Sequence, residues 1–322
     1  MEYPLSTAVY AVLIAFVANI VLCPILIPYL VRLKFGQYVR DDGPSAHIRK
    51  SGTPTMGGIM IIIAFLLAAV LYIQNNREGM ALVLMTIAFG VIGFADDYIK
   101  VSKKRSLGLR AFQKFIAQLL VTMAFVLYMY TLPGFSTAVI IPFFPEISFD
   151  LGILYAPFAC FVILGSLNGA NFTDGLDGLA AGVTVLIAAF FLFAAWAHNS
   201  PILPVTGAAV GSLLGFLLFN SYPARVFMGD TGSLALGGFI AGAALLLGMP
   251  LFLVIVALIY IIEVLSVIIQ VVYFKCTRGK RFFRMAPIHH SLEVSGWPET
   301  RIVAFFYIAT AILCLIGYLA FS

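Results

Sequence analysis

Charge is scarce in this sequence. Asp, Glu, Lys and Arg make up 10% of its 322 residues, against about 25% in an ordinary soluble domain. Hydrophobic residues make up 62% and mean hydropathy is +1.06. That balance excludes a soluble core and indicates a membrane protein. No polar stretch is long enough to fold separately, so residues 1–322 read as a single integral membrane domain. Cysteine is also sparse. Cys23, Cys160, Cys276 and Cys314 are isolated, with no C-x-x-C or Cys/His metal spacing, and read as small buried hydrophobes. The N-terminus, Met1-Glu2-Tyr3-Pro4, lacks a basic n-region and reads as a retained first helix.

What is abundant is apolar sequence. About 20 apolar residues cross the hydrocarbon core. Ten segments qualify: 5–33, 54–74, 79–97, 112–131, 153–169, 178–197, 202–219, 233–248, 250–274 and 302–321. The expected fold is an all-α polytopic membrane protein of about ten transmembrane helices. Pro24 and Pro28 would bend the first. The connection 132–152 could form a short outer β-hairpin around Pro142 and Pro145. No inverted repeat of the transporter kind is visible.

The connections alternate between short, nearly uncharged ones and long basic ones. Of 19 Lys and Arg, 18 fall on the side of loops 34–53, 98–111, 170–177, 220–232 and 275–301; Arg77 is the exception. The positive-inside rule places that side in the cytoplasm and, with ten spans, both termini outside. The net charge of +5 thus answers to topology and gives no reason to expect nucleic acid as a partner.

Acidic residues near a membrane are expensive, so their positions are informative. Asp96 and Asp97 close the third span in Phe94–Lys100. Adjacent helical residues point about 100° apart, so one carboxylate can face a central cleft and the other a neighbouring helix or the basic loop. Asn168, Asn171, Asp174 and Asp177 are spaced by three among Gly169, Gly175 and Gly178. The glycines and the spacing predict a tight loop with 3₁₀ character. Asp230 precedes a glycine-rich helix start, where it could cap the helix or share an anion-binding end. His289 and His290 lie in a basic loop and could bind metal or phosphate, or mark a surface turn. Lys50 precedes Gly57-Gly58. All five groups lie on the basic side. Aspartates able to hold Mg²⁺ beside Lys, Arg and His able to hold phosphate are the equipment of phosphoryl transfer. Glu263 is set apart, inside the ninth span.

Five stretches carry a resemblance: KSGTPTMGG (50–58), FADDYIK (94–100), NGANFTDGLDGL (168–179), NSYPARVFMGDTG (220–232) and APIHHSLE (286–293). In them the chain resembles the polyprenyl-phosphate N-acetylhexosamine-1-phosphate transferases, on the branch that uses a muramoyl-pentapeptide donor. The resemblance covers nearly the whole chain. It implies transfer of phospho-N-acetylmuramoyl-pentapeptide from its UDP donor to undecaprenyl phosphate, giving lipid I and UMP for peptidoglycan synthesis. It further implies Mg²⁺ as cofactor, a bacterial inner-membrane location with the site facing the cytoplasm, contact with membrane lipid, and a homodimer. The implied catalytic residues are Asp96, Asp97, Asp230, His289 and His290, with Asp230 the metal ligand. The implied substrate-binding residues are Lys50, Thr55, Lys100, Lys114, Asn168, Asn171, Asp174, Asp177, Asn220, Phe227, Gly229 and Gln270. Of these, Phe227 would stack on uracil and the lysines would meet phosphates. The family often has a third histidine where this sequence has Ser291, so a role for that histidine has no counterpart here. The nearest rival reading is a sister enzyme transferring N-acetylglucosamine-1-phosphate; a transporter or lipid flippase is a more distant one.

Overall fold

The computed structural model describes residues 4–32, 52–103 and 107–321. The described residues are mainly helical: α1 (Leu5–Arg32), α2 (Gly58–Ala69, continued by a 3₁₀ turn Val70–Tyr72), α3 (Arg77–Ser102), α4 (Ala111–Met129), α5 (Tyr155–Thr173), α6 (Leu179–Ala197), α7 (Leu203–Asn220), α8 (Gly229–Leu246), α9 (Leu253–Val256), α10 (Leu258–Cys276), α11 (Ile288–Val294) and α12 (Glu299–Leu319). Two strands, β1 (Ala138–Ile141) and β2 (Phe144–Asp150), pair antiparallel between α4 and α5, with an irregular register at Ile140/Ile141. Among the described residues, nine helices are long and apolar enough to cross a membrane, and Gly58–Tyr72 is a shorter apolar helix.

α8 is the axis of the molecule. It is buried along nearly its whole length and packs against α3, α5 and α2. Lipid gives helices little hydrophobic reason to associate, so close packing of small residues must hold them. The sequence supplies these at the contacts. A Cβ on Gly93 of α3 would collide with the Asp230 carbonyl, and one on Gly58 of α2 with the backbone of Gly232. Backbone therefore touches backbone at the start of α8. At 18 residues and about 1.5 Å per residue, α8 separates that start from its other end by nearly a hydrocarbon thickness. At the far end Ile140 N–H donates to the Gly248 carbonyl (2.8 Å) and Phe143 N–H to the Ala320 carbonyl (2.8 Å). Tyr155 meets Tyr130 and Phe135 edge to face, and those two rings tilt against each other.

Three expectations from the sequence are corrected. The expected ninth span, 250–274, is not one helix. It is a 3₁₀ turn Pro250–Phe252, the short α9, a break at Ala257 (φ −107°, ψ 24°) and then α10. Pro250 forces the tight start, but the break lies in uniformly apolar sequence. The expected loop at 168–177 is helical as far as Thr173. Gly169 serves packing, since a Cβ there would strike Tyr260 of α10. The third span continues past residue 97 to Ser102, so Asp96 and Asp97 lie within the helix and not at its end.

Candidate active site

The start of α8 is the focus of the polar residues. Gly229 adopts φ +73°, which favours glycine. It turns the chain so that Asp230 stands in the first helical turn. Asp230 does not cap its own helix; no side-chain cap bond is present there. Asp97 does so from α3. Its Oδ1 accepts the Asp230 N–H (3.1 Å), and its Oδ2 accepts the Thr231 N–H (2.9 Å) and hydroxyl (2.7 Å). A carboxylate at the positive end of a helix, accepting two of its free amides, is favourable twice over. The close contact at Gly93, one turn earlier, brings it there.

Asp230 is then free to face inward, and every group that meets it comes from another helix. Lys114 of α4 approaches Oδ2 at 2.7 Å and Lys100 of α3 approaches the same atom at 3.0 Å. Asn171 of α5 donates to Oδ1 (2.9 Å) and to Ser233 (2.9 Å). Lys100 also bridges to Asp96 Oδ2 (2.6 Å), whose Oδ1 accepts the Leu109 N–H (2.8 Å). Asp96 and Asp97 are buried and Asp230 is partly exposed, and one ligand oxygen from each lies within 4.8 Å of the others. Hard oxygen donors so gathered suit Mg²⁺, and two ammonium groups now balance much of their charge.

Other predicted residues surround this cluster. Thr55 and Gly57-Gly58 reach it through a short backbone ladder: Phe227 N–H to Pro54 (2.8 Å), Gly57 N–H to Phe227 (2.8 Å) and Gly58 N–H to Met228 (2.9 Å). The Thr55 hydroxyl and Asp97 both crowd the α carbon of Gly229. Phe227 is half-buried beside this ladder. Asp174 follows the end of α5. Burial and the charges of Asp230 and Asp97 push its carboxyl up to about 8, against the Gly229 amide that hydrogen-bonds it. His289 lies under this loop, with Nε2 against Gly175.

Several predicted residues are committed elsewhere. Asn168 donates to the Leu164 carbonyl of its own helix (2.7 Å). Asp177 accepts the Ala224 N–H (2.9 Å), and its own N–H donates to Glu299 (2.7 Å). Asn220 is buried and donates to the Val226 carbonyl (2.9 Å). Together Asp177 and Asn220 secure the loop 221–228. Gln270 clasps the chain as it folds back along α10: it accepts from Phe282 (3.1 Å) and Phe283 (2.9 Å) and donates to the Phe283 carbonyl (3.2 Å). His290 Nδ1 lies 2.6 Å from Glu293. Lys50 lies outside the described residues. Sequence reasoning missed Thr231 and Ser233. Both follow Asp230 within one turn, at spacings that helical periodicity could have flagged. It also missed Leu109, whose contribution is a backbone amide that no side-chain pattern reveals.

Comparison with known proteins adds a second line. Residues 79–248 match the model of glycosyl transferase family 4, and residues 50–62 match the phospho-N-acetylmuramoyl-pentapeptide-transferase signature 1. The chain is 50% identical to the phospho-N-acetylmuramoyl-pentapeptide-transferase of Clostridioides difficile (strain 630), over 99% of each chain. It is 47% identical to that of Acetivibrio thermocellus, over 99% of this chain and 97% of the relative. It is also 47% identical to that of Caldanaerobacter subterraneus subsp. tengcongensis, over 98% of each.

Proposed function

We propose a function from one premise: the chain belongs to glycosyl transferase family 4 and, within it, to the phospho-N-acetylmuramoyl-pentapeptide-transferases. It is a multi-pass membrane enzyme that transfers phospho-N-acetylmuramoyl-pentapeptide from its UDP donor to undecaprenyl phosphate, forming lipid I and UMP. The finer reading is ours. The site faces the cytoplasm of a bacterial inner membrane, turnover depends on Mg²⁺, and the protein works as a homodimer. The basic loops on one side support the orientation.

The carrying observation is the convergence of Lys100 and Lys114 on one oxygen of Asp230, whose other oxygen Asn171 holds. Asp230, with Asp96 beside it, would hold the cation. The oxygens of Asp97 are occupied by the start of α8, which makes Asp97 the residue that orients Asp230. Bound Mg²⁺ would neutralise charge on the donor diphosphate.

The reaction brings two phosphate anions together, so its main demand is electrostatic. Lys100 and Lys114 supply positive charge that can pass from Asp230 to phosphate oxygens. A phosphate monoester has a second pKa of about 6 and is largely dianionic at neutral pH, so the lipid phosphate needs little help from a base. Asp96 is held by Lys100 and by the Leu109 amide. In that setting it orients Lys100 and the lipid phosphate more than it removes a proton. The lipid phosphate then attacks the sugar-linked phosphorus directly, and UMP leaves. Asp174 and Asp177 stand on the loop that faces the donor, with Phe227 beside it for the uracil ring.

The test is UMP release by purified protein given the UDP donor and polyprenyl phosphate, with Mg²⁺ or with chelator. Release should require both the lipid phosphate and the metal. A burst of UMP stoichiometric with enzyme, without lipid phosphate, would replace direct attack with a covalent aspartyl intermediate. Preference for UDP-N-acetylglucosamine in a donor competition would overturn the substrate assignment.

A further inference from the structure

Glu263 is fully buried in α10, a helix whose other side is widely exposed. A carboxylate is costly in a spanning segment and is expected to serve a purpose with a nameable partner. Glu263 Oε2 accepts the Ile288 N–H at 3.1 Å and lies 3.1 Å from Nδ1 of His289, itself fully buried. The opposite nitrogen of the same ring, Nε2, rests against Gly175 so closely that a Cβ there would collide with it. The imidazole is thus a wedge between a membrane helix and the 174–178 loop. Glu263 Oε1 and both ring nitrogens of His289 lack a hydrogen-bond partner among the described residues, so the 3.1 Å approach of Nδ1 to Glu263 is a contact of position and charge, not an aligned hydrogen bond. Seven residues further along α10, Gln270 fastens the same fold-back segment at Phe282 and Phe283. The Glu263 end reaches the loop through His289, which lies against Gly175 beside Asp174.

We propose that Glu263 is a positioning residue for the donor half of the site: through His289 it sets where the 174–178 loop stands relative to Asp230. The inference rests on the reading above, in which that loop faces the UDP donor. Glu263 touches no substrate in this account. A residue that orients another through a histidine should act on one ligand and not on the other, whereas a general packing role would weaken both.

The experiment measures affinity for the UDP donor by titration calorimetry on detergent-purified full-length protein, with the KM for polyprenyl phosphate measured alongside. Glu263→Gln keeps an acceptor for the Ile288 amide and removes the charge beside His289. Donor affinity should fall about 10–100-fold, the usual cost of losing such a supporting partner, with the lipid KM within about two-fold of wild type. His289→Asn should give a similar loss, and the double variant no more than either single one, because the two act as a unit. Gly175→Ala leaves Glu263 intact and displaces the ring from the opposite side. It should reproduce the donor defect, and it decides the matter if Glu263→Gln does not fold. Unchanged donor affinity in a folded Glu263→Gln or Gly175→Ala protein would overturn the proposal. So would losses that multiply in the double variant, or a defect confined to the lipid KM. A wild-type chain that binds donor yet releases no UMP would count against the transfer chemistry alone, and the binding data would still decide the role of Glu263.

Discussion

The two ends of α8 are built on different principles. At Leu246 the bundle is closed by a hairpin with its own backbone pairing and by aromatic rings that meet tilted or edge to face. At Gly229 the bundle is closed by individual side chains: one carboxylate capping a helix, two lysines on one oxygen, one amide on the other. Distributed contacts tolerate loss, while a small polar network fails when one member goes. A chemical site placed at the second end is therefore held rigidly and is also vulnerable.

The sharpest way to break this contrast is Asp230→Asn. It should lower the rate of UMP release by about 10³-fold, as loss of a central electrostatic group does. The protein should still elute as a folded species, since Asp97 still meets the amides of α8. Near-normal turnover at ordinary Mg²⁺ would remove the site from this end altogether. Next is Asp97→Ala, which leaves two amides and a hydroxyl unpaired. It should cost about 1–3 kcal/mol of stability as well as activity, seen as a lower Tm in detergent. A variant losing activity with Tm unchanged would mean Asp97 acts on substrate and not on the helix. A pH-dependent effect concerns Asp174. Its folded carboxyl is raised from an ordinary 3.8 to about 8, so the folded state holds a proton that the unfolded chain has released. Metal-free wild type should therefore lose stability as pH rises from about 4 to about 8 and level off above that. Asp174→Asn should lack that component, and thermal unfolding at pH 5.5 and 8.5 in chelator would show the difference. Smallest of all is Thr137→Ala at the hairpin, where the Thr137 hydroxyl meets an exposed Asp150. Neither Tm nor UMP release should change measurably, and a clear loss of activity there would mean the two ends are coupled.

Much of this arrangement was legible in the sequence. Apolar runs located the spans, because length and composition suffice for that in lipid. The gathering of Asp96, Asp97, Asp174 and Asp230 followed from their shared side of the membrane. The division of labour between them did not. Which of Asp96 and Asp97 meets α8 depends on the contact at Gly93, which is tertiary. Gly169 was misread for a related reason: a glycine that admits a neighbouring tyrosine looks, in one dimension, like a glycine that ends a helix. The break at Ala257 leaves no trace in hydropathy. The pairing of Glu263 with His289 joins residues on either side of a fold-back, and no periodicity connects them.

At Gly93 and Gly58, main chain rests on main chain with nothing adjustable between. Such a joint works like a hard stop in an instrument. It fixes the gap between the aspartates by the thickness of the peptide itself, and the smallest possible error is one methyl group. Lipid-facing positions can drift over evolutionary time as long as they stay apolar. These two positions cannot move without resetting every distance in the site at once.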